Sequence, residues 1–157
     1  MTKQRTTPDF ARAVRLGETT AEAALAQVKA AFALEGFGLV AETDLRGTLE
    51  TKLDKEIAPL WILELCNPSL ADRALAIDYK TALLMPCKVA VWQDGRDAVV
   101  AALRPAIAAA VTGLEELEPI GREAERHLER ALVRLEFPER EQPPAAAEDE
   151  LRPTDDA

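Results

Sequence analysis

The apolar and polar positions change period several times along the chain, and each change marks an element. Residues 10–16 alternate partly between apolar and polar, which predicts a first strand ended by Gly17. Thr19 and Thr20 supply helix-start chemistry, and Ala24, Leu25, Val28, Ala31, Phe32 and Leu34 then recur every three or four residues. This spacing predicts a helix from about Thr20 to Glu35, with Gly36 placed as its C-cap. Residues 37–42 read as a strand. Thr43 or Asp44 can cap a short helix reaching Leu53, with Leu45, Leu49 and Leu53 on one stripe. The apolar run 60–66 reads as a buried strand, opened by Pro59. Asn67-Pro68 is a helix start, asparagine at the N-cap and proline at the first helical position, and that helix runs to about Ile77 or Asp78. Residues 85–92 lead into a strand, Asp94-Gly95 is a tight-turn dipeptide, and 98–103 form the return strand. Pro105 breaks that strand, and 106–111 read as helical. A last helix starts near Pro119, with Ile120, Ala124, Leu128, Ala131, Leu132 and Leu135 on one face, and Phe137-Pro138 ends it.

These elements predict an α+β fold, with helices packed on a mainly antiparallel sheet in a single compact domain. No internal repeat is present. Residues 1–9 read as a flexible N-terminus, 10–136 as the domain and 137–157 as a disordered acidic tail. The length of 157 residues agrees with one domain. Much of the 48 % apolar share is alanine, so the core is leaner than that figure suggests.

Charge narrows the possible partners. Of the net −9, the tail carries seven acids against two bases, a balance of −5, which leaves −4 on the other 136 residues. A mildly acidic body repels phosphate backbones, so nucleic acid is not an expected partner. There is no basic patch for an anionic membrane surface and no uninterrupted apolar stretch of spanning length, so no membrane association is expected either. The N-terminus has no apolar run behind its first basic residues, which points to a cytoplasmic protein. In that compartment Cys66 and Cys87 are expected to be free thiols.

Several strings taken together resemble a known family. They are Glu35-Gly36-Phe37-Gly38, Thr48-Leu49 with Lys52-Leu53, Cys66-Asn67-Pro68 with Ala71, and Leu84-Met85-Pro86-Cys87-Lys88-Val89, closing on Pro105. The chain is similar over roughly residues 10–135 to DUF302, a family of small bacterial and archaeal domains. The two cysteine motifs, in this order and spacing, are the specific part. Lys88 stands where the family usually has asparagine, and Met85 where leucine is common. The resemblance implies a compact α+β fold, often dimeric, and implies no activity.

The candidate chemistry centres on the thiols. Cys66 lies just before a helix N-terminus, where backbone N–H groups favour a thiolate. The alternative is a small buried hydrophobe closing a strand, as most free cysteines are. Whether Cys66 and Cys87 approach each other depends on the relative direction of their strands. If they line one pocket, Asn67, Lys52 and Glu64 are the neighbouring candidates for a ligand-binding, redox or sulfur-handling module. A non-catalytic homodimeric interaction module with buried structural cysteines is the second reading. A metal site built from Cys66, Cys87 and Glu64 is the third, although the usual zinc spacings are missing. No Cys-x-x-Cys and no glycine-rich phosphate loop is present, so neither thioredoxin-type chemistry nor a dinucleotide site is indicated, and the cofactor and any enzymatic activity are left open. Lys52 could meet an anionic ligand or pair with Glu56. His127 reads as a solvated helix residue, Asp44 and Asp72 as caps or surface groups, and Trp61 and Trp92 as core or interface aromatics.

Overall fold

A computed structural model describes residues 9–138. The readings of 1–9 as flexible and 137–157 as a disordered tail fall almost wholly outside these residues. In chain order the elements are β1 (Ala11–Leu16), α1 (Ala21–Ala33), β2 (Gly38–Asp44), α2 (Leu45–Leu53), β3 (Leu60–Cys66) and α3 (Pro68–Ile77). A 3-10 turn (Tyr79–Leu84) leads to β4 (Cys87–Asp94), β5 (Asp97–Leu103) and α4 (Pro105–Val111). A second short 3-10 turn (Glu115–Leu117) precedes α5 (Glu118–Glu136). The five strands form one sheet in the order β1-β5-β4-β3-β2, with every neighbouring pair antiparallel. The expected α+β fold with a mainly antiparallel sheet is therefore what the chain adopts.

Local chemistry sets the element ends. The Thr20 hydroxyl accepts a hydrogen bond from Ala23 N at 3.1 Å and caps α1. Asn67 Oδ1 accepts from Leu70 N at 3.3 Å and caps α3. Past the last turn of α1, Gly36 sits at φ +83°, which a side chain would strain, and the chain reverses there into β2. Gly95, at φ +60°, is the first of the two residues joining the paired Asp94 and Asp97. Arg104 offers no side-chain cap to α4. The buried Glu125 of α5 does so instead, accepting from Ala106 N at 3.1 Å and from Arg104 Nε at 2.6 Å.

Helices α1 and α5 cover one face of the sheet. Leu63, Leu65, Val89, Val91, Val100 and Ala102 pack there against Val28 and Phe32 of α1 and Leu128, Ala131 and Leu132 of α5. Each fully buried side chain of Val, Leu or Phe size contributes about 1.5–3 kcal/mol of transfer free energy, so this layer dominates stability. Trp61 packs against it. The opposite face carries Ala11, Ala13, Ile62, Ala90, Trp92, Val99 and Ala101, interrupted by a cross-strand Glu64–Lys88 ion pair.

The predicted leucine stripe of α2 packs only in part, with Leu45 and Leu49 half-buried. No residue of α2 is buried, and Leu53 is 65 % exposed. This helix meets β3 next to the sheet edge, so it has no second layer to close over its apolar side. Among the described residues, no helix is long and apolar enough to cross a membrane.

Candidate functional site

The antiparallel ladder brings the end of β3, the start of β4, the end of β5 and the start of β2 to one end of the sheet. There α3, the Tyr79–Leu84 turn, α4 and the first turns of α5 enclose a cavity of about 90 Å³, partly open to solvent. Phe37, Leu65 and Leu103 form its floor from the sheet side. Leu70, Ala71 and Ala74 come from α3, Ala108 and Ala109 from α4, and Ile120, Gly121 and Ala124 from α5. Gly121 lets α4 and α5 cross closely, since a Cβ there would lie 2.6 Å from Ala109 Cβ and 3.0 Å from Pro105 O.

Cys66, Asn67 and Cys87 all line this cavity. The question of strand direction is answered by the register, in which β3 and β4 run antiparallel with Leu65 opposite Cys87. Cys66 is thus one residue beyond the partner of Cys87. Adjacent positions on a strand face opposite sides, so the two thiols meet only where the sheet ends. Both are free and half-buried. Burial, with the nearby Cys66 adding to it, pushes the Cys87 thiol up to about 11 from an ordinary 9.0. Cys87 is therefore a neutral thiol at physiological pH.

The other two candidates lie elsewhere. Glu64 is on the sheet face opposite α1 and α5, bonded to Lys88. Lys52 is exposed on α2 and is not part of the cavity wall. The helix stops at Leu53, so Glu56 is not on its next turn and the alternative i+4 pairing of Lys52 with Glu56 does not form. The Cys66/Cys87/Glu64 metal set is not assembled either: among the described residues no group of three or more His, Cys, Asp or Glu side chains could hold a metal ion.

Two features went unread in the sequence. Thr81, in the turn between α3 and β4, lines the cavity and is 2 % exposed. Its Oγ1 is the one buried side-chain polar atom among the described residues without a hydrogen-bond partner. A threonine set in the apolar string Ala82-Leu83-Leu84-Met85 was its only sequence signal. The second feature corrects the reading of His127 as a solvated residue. His127 Nδ1 lies 2.7 Å from Oε2 of the buried Glu35, which also accepts from Arg130 Nε at 3.1 Å and Arg134 Nη1 at 2.5 Å. Arg130 Nη2 also approaches His127 Nδ1, at 2.8 Å. One nitrogen cannot donate to the carboxylate and accept from the guanidinium together. Burial raises the Glu35 carboxyl, but the hydrogen bonds from His127, Arg134 and Arg130 outweigh it and hold the group below its ordinary range. The Glu35 carbonyl accepts from Asn67 Nδ2 at 3.2 Å, so this cluster also steadies the residue that opens α3 on the cavity.

Fold and site together define a small α+β domain with an antiparallel sheet and an uncharged, cysteine-bearing cavity at one end. The chain belongs to the DUF302 family, a domain of unknown function, whose profile matches residues 12–135. It is similar in structure to an uncharacterized conserved DUF302 protein from Bacillus stearothermophilus, at 25 % sequence identity and a TM-score of 0.75, covering 80 % of this chain and 98 % of the other. No curated protein matches the chain. Lys88, the departure from the family's usual asparagine, lies on the sheet face with Glu64 and is not part of the cavity wall.

Proposed function

We propose that this domain binds a small molecule in the cavity at the end of the sheet, with Cys66, Asn67 and Cys87 in the wall. The observation that carries the reading is the coincidence of both cysteine motifs with one apolar hollow at the end of the sheet. Ligand sites are typically concave and mostly apolar, with a few placed polar groups, and this one has that make-up. An engineered apolar cavity of about 150 Å³ admits benzene. At about 90 Å³ plus an open mouth, the present cavity suits a ligand of a few to several heavy atoms. A redox or sulfur-transfer role would need a thiolate at the wall. The protonated state of Cys87 supports binding over that chemistry, and any attacking role falls on Cys66. The test is a titration of the full chain with benzene, followed by amide chemical shifts. Saturable shifts confined to α3, the 79–84 turn, α4 and the start of α5 are expected, together with slower alkylation of Cys66. No shift up to the solubility limit of benzene overturns the reading.

A second reading is a homodimer formed through the sheet. Its support is the face opposite α1 and α5, where Ala11, Ala13, Ala90 and Ala101 leave a low surface around Trp92 and Ile62. A sheet covered on one side only generally finds a second layer. Sedimentation velocity of wild type against Ala101→Arg tests it: a wild-type dimer dissociated by the substitution is expected, and a wild-type monomer at all concentrations refutes it.

A further inference from the structure

We infer that this cavity takes an uncharged, compact apolar molecule no larger than a single ring, and that Ala71 and Ala108 set that limit. The inference rests on the cavity being a binding site, as proposed above, and adds the class of ligand and the residues that select it.

The hollow follows from the side chains around it. Its inner wall belongs to a small apolar cluster whose buried members are Ala74, Ala109 and Leu117. Two of these three are alanines, so the cluster leaves space that larger aliphatic side chains would fill. Ala71 of α3 and Ala108 of α4 also line the cavity, and both are half-buried. They are therefore the small residues that an entering molecule meets. Truncating one buried leucine to alanine opens cavities of this order, and one of about 150 Å³ admits benzene. At about 90 Å³ the present hollow is smaller, so one ring seated partly in the mouth is the largest group that fits.

The walls are held in place, so the space does not close by sliding of the helices. Helices α4 and α5 already touch, since a Cβ on Gly121 would lie 2.6 Å from Ala109 Cβ. Glu125 of α5 accepts from Ala106 N at 3.1 Å and fixes the start of α4. Asn67 caps α3 and donates to the Glu35 carbonyl. The fourth wall is tied by Asp78, whose Oδ1 accepts from Lys80 N at 2.8 Å. A pre-formed apolar hollow of this kind is the usual form of a small-molecule site.

Charge sets the second criterion. Among the described residues that line the cavity there is no Asp, Glu, His, Lys or Arg. An ion placed inside would lose its hydration without gaining a counter-ion, so neutral molecules are selected.

Benzene, 1,3,5-trimethylbenzene, benzoate and benzylammonium separate size from charge. The full chain is titrated with each, followed by amide shifts, as wild type, Ala71→Leu and Ala108→Leu. A methyl that found an apolar place would tighten binding by about 4-fold, so weaker binding of trimethylbenzene than of benzene reads as exclusion by size. That order is expected in the wild type. Benzoate and benzylammonium are expected to bind at least about 100-fold more weakly than benzene. Each leucine variant sets an isobutyl group in the space for the ring, so benzene affinity is expected to fall at least about 10-fold, with Tm unchanged or raised as the hollow fills. Should one variant not fold, the other and the wild-type series decide. Trimethylbenzene binding as tightly as benzene, either ion binding as tightly as benzene, or wild-type benzene affinity in either folded variant each overturns the inference while leaving the cavity reading intact. Failure of benzene to bind the wild type overturns the cavity reading and this inference with it.

Discussion

Replacing a buried core residue usually destabilises a protein, and Thr81→Val is expected to do the reverse. Thr81 is 2 % exposed and its hydroxyl has no partner. A buried unsatisfied polar group costs about 1–3 kcal/mol of desolvation. Valine exchanges that hydroxyl for a methyl of similar shape, on a wall already lined by Leu84, Leu117 and Ile120. The net gain is expected at about 1–2 kcal/mol, within the cost of leaving that hydroxyl unpaired. For a domain of this size each kcal/mol moves Tm by about 3–6 °C. Urea denaturation of the unliganded proteins should show a higher midpoint for Thr81→Val with an unchanged slope, since a changed slope would indicate a different denatured state. A loss of about 1 kcal/mol or more in unliganded Thr81→Val would show that the hydroxyl is partnered in solution, and the reasoning from an open polar group would fail.

Three further outcomes follow from the same geometry. With its thiol pushed up to about 11, Cys87 should react with iodoacetamide at pH 7 far more slowly than a free cysteine; its protonated form favours folding below pH 9.0, and that contribution is lost as pH rises toward 11. Urea midpoints of wild type and Cys87→Ala between pH 8 and 11 check this, and parallel curves would contradict it. Glu35→Gln should cost about 1–3 kcal/mol at pH 7, at the lower end because Arg130 is half exposed and can rehydrate. The carboxyl of Glu35 is held below its ordinary 4.5, so its contribution is present above that pH and disappears as pH falls through the lower folded value; stability of wild type and variant should therefore converge in acid. Gly121→Ala gains about 1 kcal/mol of helix propensity but sets a Cβ 2.6 Å from Ala109 Cβ, a clash with no flexible side chain to move. Overpacking costs of about 1–3 kcal/mol outweigh the gain. A lowered Tm is expected, and a raised one would mean that α4 and α5 separate easily.

Much of the architecture was legible because it is local. Thr20, Asn67-Pro68 and Asp94-Gly95 mark starts and turns through bonds and dihedrals within a few residues, and the stripe of α5 needs only a 3.6-residue period. The leucines of α2 show where that rule stops: their spacing is helical and the helix forms, but burial needs a second layer that the sheet edge does not provide.

By itself, then, the chain determined its elements, its family and the two cysteine motifs, since each is carried by short-range pattern. Tertiary structure decided what those motifs do together. The strand order β1-β5-β4-β3-β2 and the pairing of Leu65 with Cys87 brought both thiols to one cavity and sent Glu64 to Lys88. Helix α5, packed back on α1, brought His127 to Glu35 across 92 residues of sequence. The open hydroxyl of Thr81 could be seen only there, because whether a polar atom has a partner depends on every element around it.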